Sequence, residues 1–187
     1  MAHSNKADSF VGRLKRWKND RGALANLRCA LRPKLRSRAW PLLAQLTNLK
    51  SPSLVIYETV AGLWAMDPEN HRTGCGNFGV TCRNLSASHV SFDLRFRRLI
   101  DCESREELCE RIVPTALAAQ AKGSVVDYDE LFRDLQFYAG DGRDRVRLRW
   151  AQAYWKTVAK ENDSEPAGAW VTALAELSRD ADVELPG

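Results

Sequence analysis

Ser53-Leu54-Val55-Ile56-Tyr57-Glu58-Thr59-Val60-Ala61-Gly62-Leu63-Trp64-Ala65-Met66 is apolar almost all the way round, and Glu58 is its one charge. A run this long exceeds an ordinary strand, and a helix that is hydrophobic on every face has to be surrounded by other elements. The reading is a central buried helix, and the rest of the chain is read by how it covers that helix.

Toward the N-terminus, Asp8 and Ser9 offer side-chain oxygens to the amides of a first turn, after which Phe10, Val11, Leu14 and Trp17 share a face. Asp20 starts a second helix in which Leu24, Leu27 and Leu31 form an apolar stripe, with Arg21, Arg28 and Arg32 beside it. Pro33 stops that helix, the link to Arg38 carries Lys34, Arg36 and Arg38, and Trp40-Pro41 opens the next one.

Toward the C-terminus, Asp67-Pro68 begins a glycine-rich loop, followed by a short helix from Asn77 to Leu85. Ser88 can cap a helix whose inner face is Phe92, Phe96 and Leu99 and whose outer side holds Arg95 and Arg98. Ser104-Arg105-Glu106-Glu107 is a capping box, and Leu108, Ile112, Thr115 and Ala119 carry that helix to Gly123 past a possible kink at Pro114. Asp127 opens a helix with Leu131, Leu135 and Tyr138 on one face, ending at Gly140. The last long helix, Arg143 to about Lys160, buries Val146, Trp150, Tyr154 and Val158, and sets Arg143 with Arg147 and Arg145 with Arg149 as basic pairs one turn apart. Trp170, Leu174 and Leu177 predict a short acidic helix beyond it.

The fold class expected is all-α: a flexible N-terminus over 1–8, a compact helical bundle over 9–160, and a linker with a short acidic helical appendage over 161–187. At 187 residues and 44% hydrophobic the chain can bury one sizeable core. It holds no apolar run long enough to span a membrane and begins with a polar stretch, so a cytoplasmic protein without membrane contact is expected. The odd number of cysteines, Cys29, Cys75, Cys82, Cys102 and Cys109, then reads as reduced thiols. Charge is uneven: residues 1–50 carry 12 Lys and Arg against only Asp8 and Asp20, and acidic residues prevail after residue 100. A basic block of this kind is the footprint of a polyanion binder, and a solvated helical face gives the same pattern.

Three motifs invite sharper chemistry. Gly74-Cys75-Gly76-Asn77-Phe78-Gly79 matches the dinucleotide-binding glycine pattern, but polar loop precedes it where a strand belongs. A structural turn remains, or a turn whose free amides meet a nucleic-acid phosphate. Cys75 with Cys82 and Cys102 with Cys109, near His71 and His89, suggest zinc, but structural zinc ligands pair two to four residues apart, whereas seven-residue spacing suits core positions of a helix. Glu103, Glu106, Glu107 and Glu110 resemble a solvated helical face, and no nucleophile or metal-binding set stands out, so neither catalysis nor a cofactor is expected.

Arg21-Gly22-Ala23-Leu24-Ala25-Asn26-Leu27-Arg28, Ala39-Trp40-Pro41-Leu42-Leu43, Thr73-Gly74-Cys75-Gly76-Asn77-Phe78-Gly79, Phe92-Asp93-Leu94-Arg95-Phe96-Arg97-Arg98-Leu99, Val126 to Leu135 and Arg145-Val146-Arg147-Leu148-Arg149-Trp150 occur in that order. Over residues 9–160 this order resembles the CasB family, the small subunit of the type I-E CRISPR surveillance complex Cascade. The resemblance implies an all-helical, non-catalytic protein that sits as two copies beside the guide RNA. It would contact the large and backbone Cas subunits and stabilise the R-loop by holding displaced and target DNA. It assigns Arg28 and Arg32 to a basic N-terminal helix, Arg72 to the position before the glycine turn, Arg98 to the Arg-rich helix, and Arg143, Arg145 and Arg147 to the start of the last long helix. Cys29 stands where a second Arg is expected. Composition adds Lys34, Arg36 and Arg149 to the candidate phosphate contacts. Two other classes fit the same basic faces: a stand-alone helical DNA- or RNA-binding regulator, and a helical adaptor for acidic proteins. Scattering of the Arg residues over several helices argues against a single recognition helix.

Overall fold

The computed structural model describes residues 9–69, 71–86 and 92–162, with side chains as far as Lys156. Among them the chain is all helix and turn: α1 (Phe10–Leu14), α2 (Arg21–Arg28), α3 (Trp40–Leu43), α4 (Leu54–Met66), α5 (Phe78–Ser86), α6 (Phe92–Ile100), α7 (Arg105–Ala121), α8 (Tyr128–Phe137) and α9 (Asp141–Asn162). None of these is long and apolar enough to cross a membrane. The described residues as far as Tyr154 form one compact unit and a second begins at Trp155, of which the described part is the end of α9. The expected acidic helix around Trp170, the cap at Ser88 and the side chain of Val158 lie outside the described residues.

Helix α4 occupies the centre, as its all-round apolarity requires. Ile56, Val60, Ala61, Leu63, Trp64 and Ala65 are fully buried, each larger side chain contributing roughly 1.5–3 kcal/mol by leaving water. Helices α2, α7 and α8 pack around it, and α1 closes one side through a ring cluster in which Phe10 stacks on Phe132 at 4.7 Å and meets the edge of Tyr57 at 4.9 Å. The lone charge of the helix, Glu58, is buried and accepts a hydrogen bond from Trp40 Nε1 at 2.8 Å.

Local capping fixes the helix starts. Ser9 accepts from the Gly12 amide and Asp20 from the Ala23 amide, both at 2.9 Å. Ser104 accepts from the Glu107 amide at 3.1 Å, while Glu107 reaches back to the amide of Glu103 at 3.0 Å, one residue short of the usual capping-box partner. The chain departs from the sequence reading after Arg28. There α2 ends and tightens into 3-10 turns at Cys29–Leu31 and Arg36–Ala39, so Arg32 lies beyond the helix rather than in line with Arg21 and Arg28. Pro114 sits inside α7, which continues through it to Ala121.

Helix α9 is the second organising element. A Cβ on Gly79 would lie 2.2 Å from the carbonyl oxygen of Trp150, so only glycine lets α5 approach α9 this closely. Trp150 is buried beside Phe78 and donates its Nε1 proton to Asp134 of α8 at 2.6 Å. Tyr154 stacks on Phe96 of α6 with ring centroids 3.9 Å apart.

Candidate nucleic-acid interface

The cations foreseen from sequence fall into two groups that differ in what surrounds them. The first lies between α2 and α3. Pro33 cannot continue a helix, and Leu31 and Leu35 turn partly inward. Arg32, Lys34, Arg36 and Arg38 are left exposed, with no ion-pair or hydrogen-bond partner for their side chains among the described residues. Arg28 differs: its Nε donates to the carbonyl of Ala65 at 2.7 Å, and that oxygen belongs to the last turn of α4, where no helical amide reaches it. Arg28 thus caps α4 with the charge sign that its C-terminus favours. Arg72, in the loop before α5, and Arg98, on the outer side of α6, are exposed and equally without side-chain partners.

The second group lies on α9. Arg143 Nη1 donates to both the backbone oxygen and Oε2 of Glu103 at 2.8 Å. Arg147 donates to the Cys102 carbonyl at 2.6 Å, to Glu103 Oε1 at 3.1 Å, to Tyr138 Oη at 3.2 Å and to Asp144 Oδ1 at 3.3 Å. Burial opposes its charge, but the bonds to Tyr138 and Glu103 outweigh it and its pKa rises. Arg149 binds Glu130 and, at 2.9 Å, the buried Asp134. Arg145 alone among the four is exposed and without a partner in the described residues. Glu103 therefore precedes α7 and anchors α9, rather than belonging to a solvated helical face. Burial is the largest influence on Asp134, raising its carboxyl to about 6 against the lowering effects of Trp150 and Arg149.

The glycine turn is structural at the amides that can be traced. Gly74 and Gly76 take positive φ of 83° and 103°, and the Gly74 amide donates to Asp127 Oδ2. The same carboxylate caps α8 by accepting from the Glu130 amide at 2.9 Å. The Gly79 amide donates to Asn77 Oδ1 at 3.0 Å, and Asn77 Nδ2 donates to the Arg149 carbonyl at 3.2 Å. His71 is held at 3.4 Å from Asp129 on the same edge of α8.

All five cysteines are free thiols, and no group of three or more His, Cys, Asp or Glu among the described residues can hold a metal ion. The seven-residue spacings are not single-helix spacings. Cys75 lies in the glycine turn and Cys82 in α5, Cys102 precedes α7 and Cys109 is inside it. Burial pushes the thiols of Cys102 and Cys109 up to about 11 and about 12, keeping them protonated and poor metal ligands.

Sequence reasoning undervalued Arg95, exposed one turn before Arg98, and Arg111, which faces the same groove from α7. For Arg95 the signal was present in the amphipathic pattern of α6. For Arg111 it was not, because nothing local says that α7 lies beside α6.

Fold and surface together define an all-helical protein whose cations stand on fixed helices and tight turns. Residues 23–155 match the family described as CRISPR-associated protein Cse2. The chain belongs to that family, whose solved members carry the names Cse2 and CasB. A CRISPR-associated protein of the Cse2 family from Thermus thermophilus aligns with a TM-score of 0.65 at 22% identity, over 79% of this chain and 96% of that one. CasB from M. ruber aligns with a TM-score of 0.62 at 22% identity, over 84% of this chain and 99% of its own. CasB from Thermobifida fusca gives 0.57 at 21% identity, over 79% and 94%. At such identities the likeness establishes the shared helical fold. No curated protein matches by sequence.

Proposed function

We propose that this chain is the non-catalytic small subunit of a type I-E Cascade complex in the prokaryotic cytoplasm. In this reading it sits as two copies that contact the large subunit and the backbone subunits, beside the CRISPR RNA. Its task is to hold the opened DNA strands by their phosphates. R-loop formation exchanges one duplex for another of similar stability, so modest backbone contacts decide whether the open state persists. The observation that carries the proposal is a set of foreseen cations with no acid partner among the described residues: Arg32, Lys34, Arg36, Arg72, Arg98 and Arg145. A guanidinium already neutralised by a carboxylate has little left to offer a phosphate, whereas these keep their full charge and all their donors. Arg28, bonded to a backbone carbonyl and not to a carboxylate, keeps its net charge and acts alongside them, whereas Arg143, Arg147 and Arg149, foreseen as contacts, are paired with carboxylates and contribute less.

The test belongs in the assembled complex. Replacing Arg32, Arg36 and Arg145 with Ala lowers the steepness of log affinity against log salt by up to about 0.7 per lost single-strand contact, with little change in base preference. An unchanged slope in a folded, assembled complex would falsify the phosphate-holding role. Incubation of the purified chain with magnesium or manganese leaves labelled strands intact, and cleavage that vanishes with a carboxylate variant would overturn the non-catalytic assignment.

A further inference from the structure

We propose that the groove between α6 and α7 is a pocket for one unpaired nucleotide of single-stranded DNA, its base on an apolar floor and its phosphate among the guanidiniums of the rim. The inference rests on the phosphate-holding reading above and gives it a site that takes a base as well.

The groove has a volume of about 380 Å³, enough for a single nucleotide and too little for a base pair with its backbone. Phe92, Pro114 and Ala118 supply apolar surface, while Arg95, Arg98 and Arg111 stand around it. Among the described residues no carboxylate lines it. Arg111 is held at 3.0 Å by Glu107 on its own helix, but Arg95 and Arg98 are exposed and have no side-chain partner among the described residues. An occupant has to satisfy both halves of this lining, an anion beside a flat apolar body. A bare phosphate would leave the floor uncovered, and an apolar side chain would leave the arginines unanswered. An unpaired nucleotide meets both, because every base has an apolar face and every residue of the strand brings a phosphate. No Asn, Gln, Asp or Glu among the described residues lines the groove, so the base is held without being read. A site of this kind suits a strand that has any sequence and has been stripped of its complement.

The experiment uses the full chain with oligothymidylate of about eight nucleotides, within the usual span of single-strand sites, and the same strand with central abasic positions. Anisotropy titrations at low salt are expected to show the abasic strand binding about tenfold more weakly. Ala118→Leu fills the floor without touching a charge. It abolishes the difference between the two strands and leaves the salt slope as it was. An Arg95→Gln/Arg98→Gln double variant, which alters only exposed and unpartnered side chains, weakens both strands and flattens the slope. It decides the matter if melting shows that Ala118→Leu does not fold. Equal affinity for intact and abasic strands in the unaltered chain, or no loss in the double variant, overturns the pocket while leaving phosphate holding intact. Failure of the unaltered chain to bind either strand also overturns it, and the salt-slope assay on the complex then judges the broader function separately. A base-dependent difference seen with oligouridylate alone overturns the assignment to DNA.

Discussion

Arg36 and Arg147 carry the same guanidinium and have opposite surroundings. Arg36 stands in solvent at the start of the second 3-10 turn with no partner among the described residues, whereas Arg147 bridges Cys102, Glu103, Tyr138 and Asp144 and ties α9 to the start of α7. The difference lies in acid supply. The first fifty residues have only Asp8 and Asp20 to set against 12 cations, and Asp20 is occupied in capping α2. Residues 101–150 hold 11 acids against 8 cations, and Glu103, Glu130 and Asp134 reach α9 from outside it to meet the guanidiniums of Arg143, Arg147 and Arg149. Excess charge of one sign marks the surface left over for a partner, and balanced charge marks a joint within the fold.

The contrast can be broken most severely at its structural pole. Gly79→Ala drives a Cβ into the Trp150 carbonyl, and a loss of about 3 kcal/mol in chemical denaturation is expected. A variant as stable as the parent would mean that α5 and α9 are not in that contact. Next comes the buried carboxylate beneath Arg149. Asp134 titrates near 6 in the folded chain against 3.8 when unfolded, so between these values the folded state binds the extra proton. Stability from this group therefore falls as pH rises from about 4 to about 6. Asp134→Asn removes that slope, and its stability relative to the parent improves across the window by up to roughly 3 kcal/mol. A difference that stays constant with pH would place the titration elsewhere. Arg147→Ala removes one of two donors from the Cys102 carbonyl, which keeps Tyr138 Oη, and one of two cations from Glu103, which keeps Arg143, and costs about 2 kcal/mol. Arg145→Ala and Arg32→Ala stay within about 0.5 kcal/mol of the parent. If Arg145→Ala proved as costly as Arg147→Ala, the division between holding and free cations on α9 would collapse.

Much of the fold could be read before any coordinates, because its signals are local. The apolarity of 53–66, the caps at Ser9, Asp20, Ser104 and Asp127, and the four-residue steps of Val146, Trp150 and Tyr154 all act within one or two helical turns. The 3-10 turns at Cys29–Leu31 and Arg36–Ala39 were not legible, since an apolar stripe at Leu24, Leu27 and Leu31 fits a continued helix equally well. Nor was the sorting of the arginines. Arg143, Arg145, Arg147 and Arg149 form a uniform alternation in sequence, and the arrival of Glu103 from the turn before α7 and of Asp134 from α8 separates Arg145 from the rest. Gly79 was read as part of a loop motif, while its reason, the backbone of Trp150, lies 71 positions away.

The single carboxylate of Asp127 has a consequence for the timing of local opening. It closes the first turn of α8 with one oxygen and holds the Gly74 amide with the other. The Gly74 proton, in an exposed turn, would ordinarily exchange with solvent deuterium as fast as any loop amide. Here it is released only when Asp127 lets go, so its exchange should slow into step with the Glu130 amide, and the two should quicken together in Asp127→Ala. By that measure the glycine turn opens and closes as part of α8, although Gly74 and Asp127 are 53 positions apart in the chain.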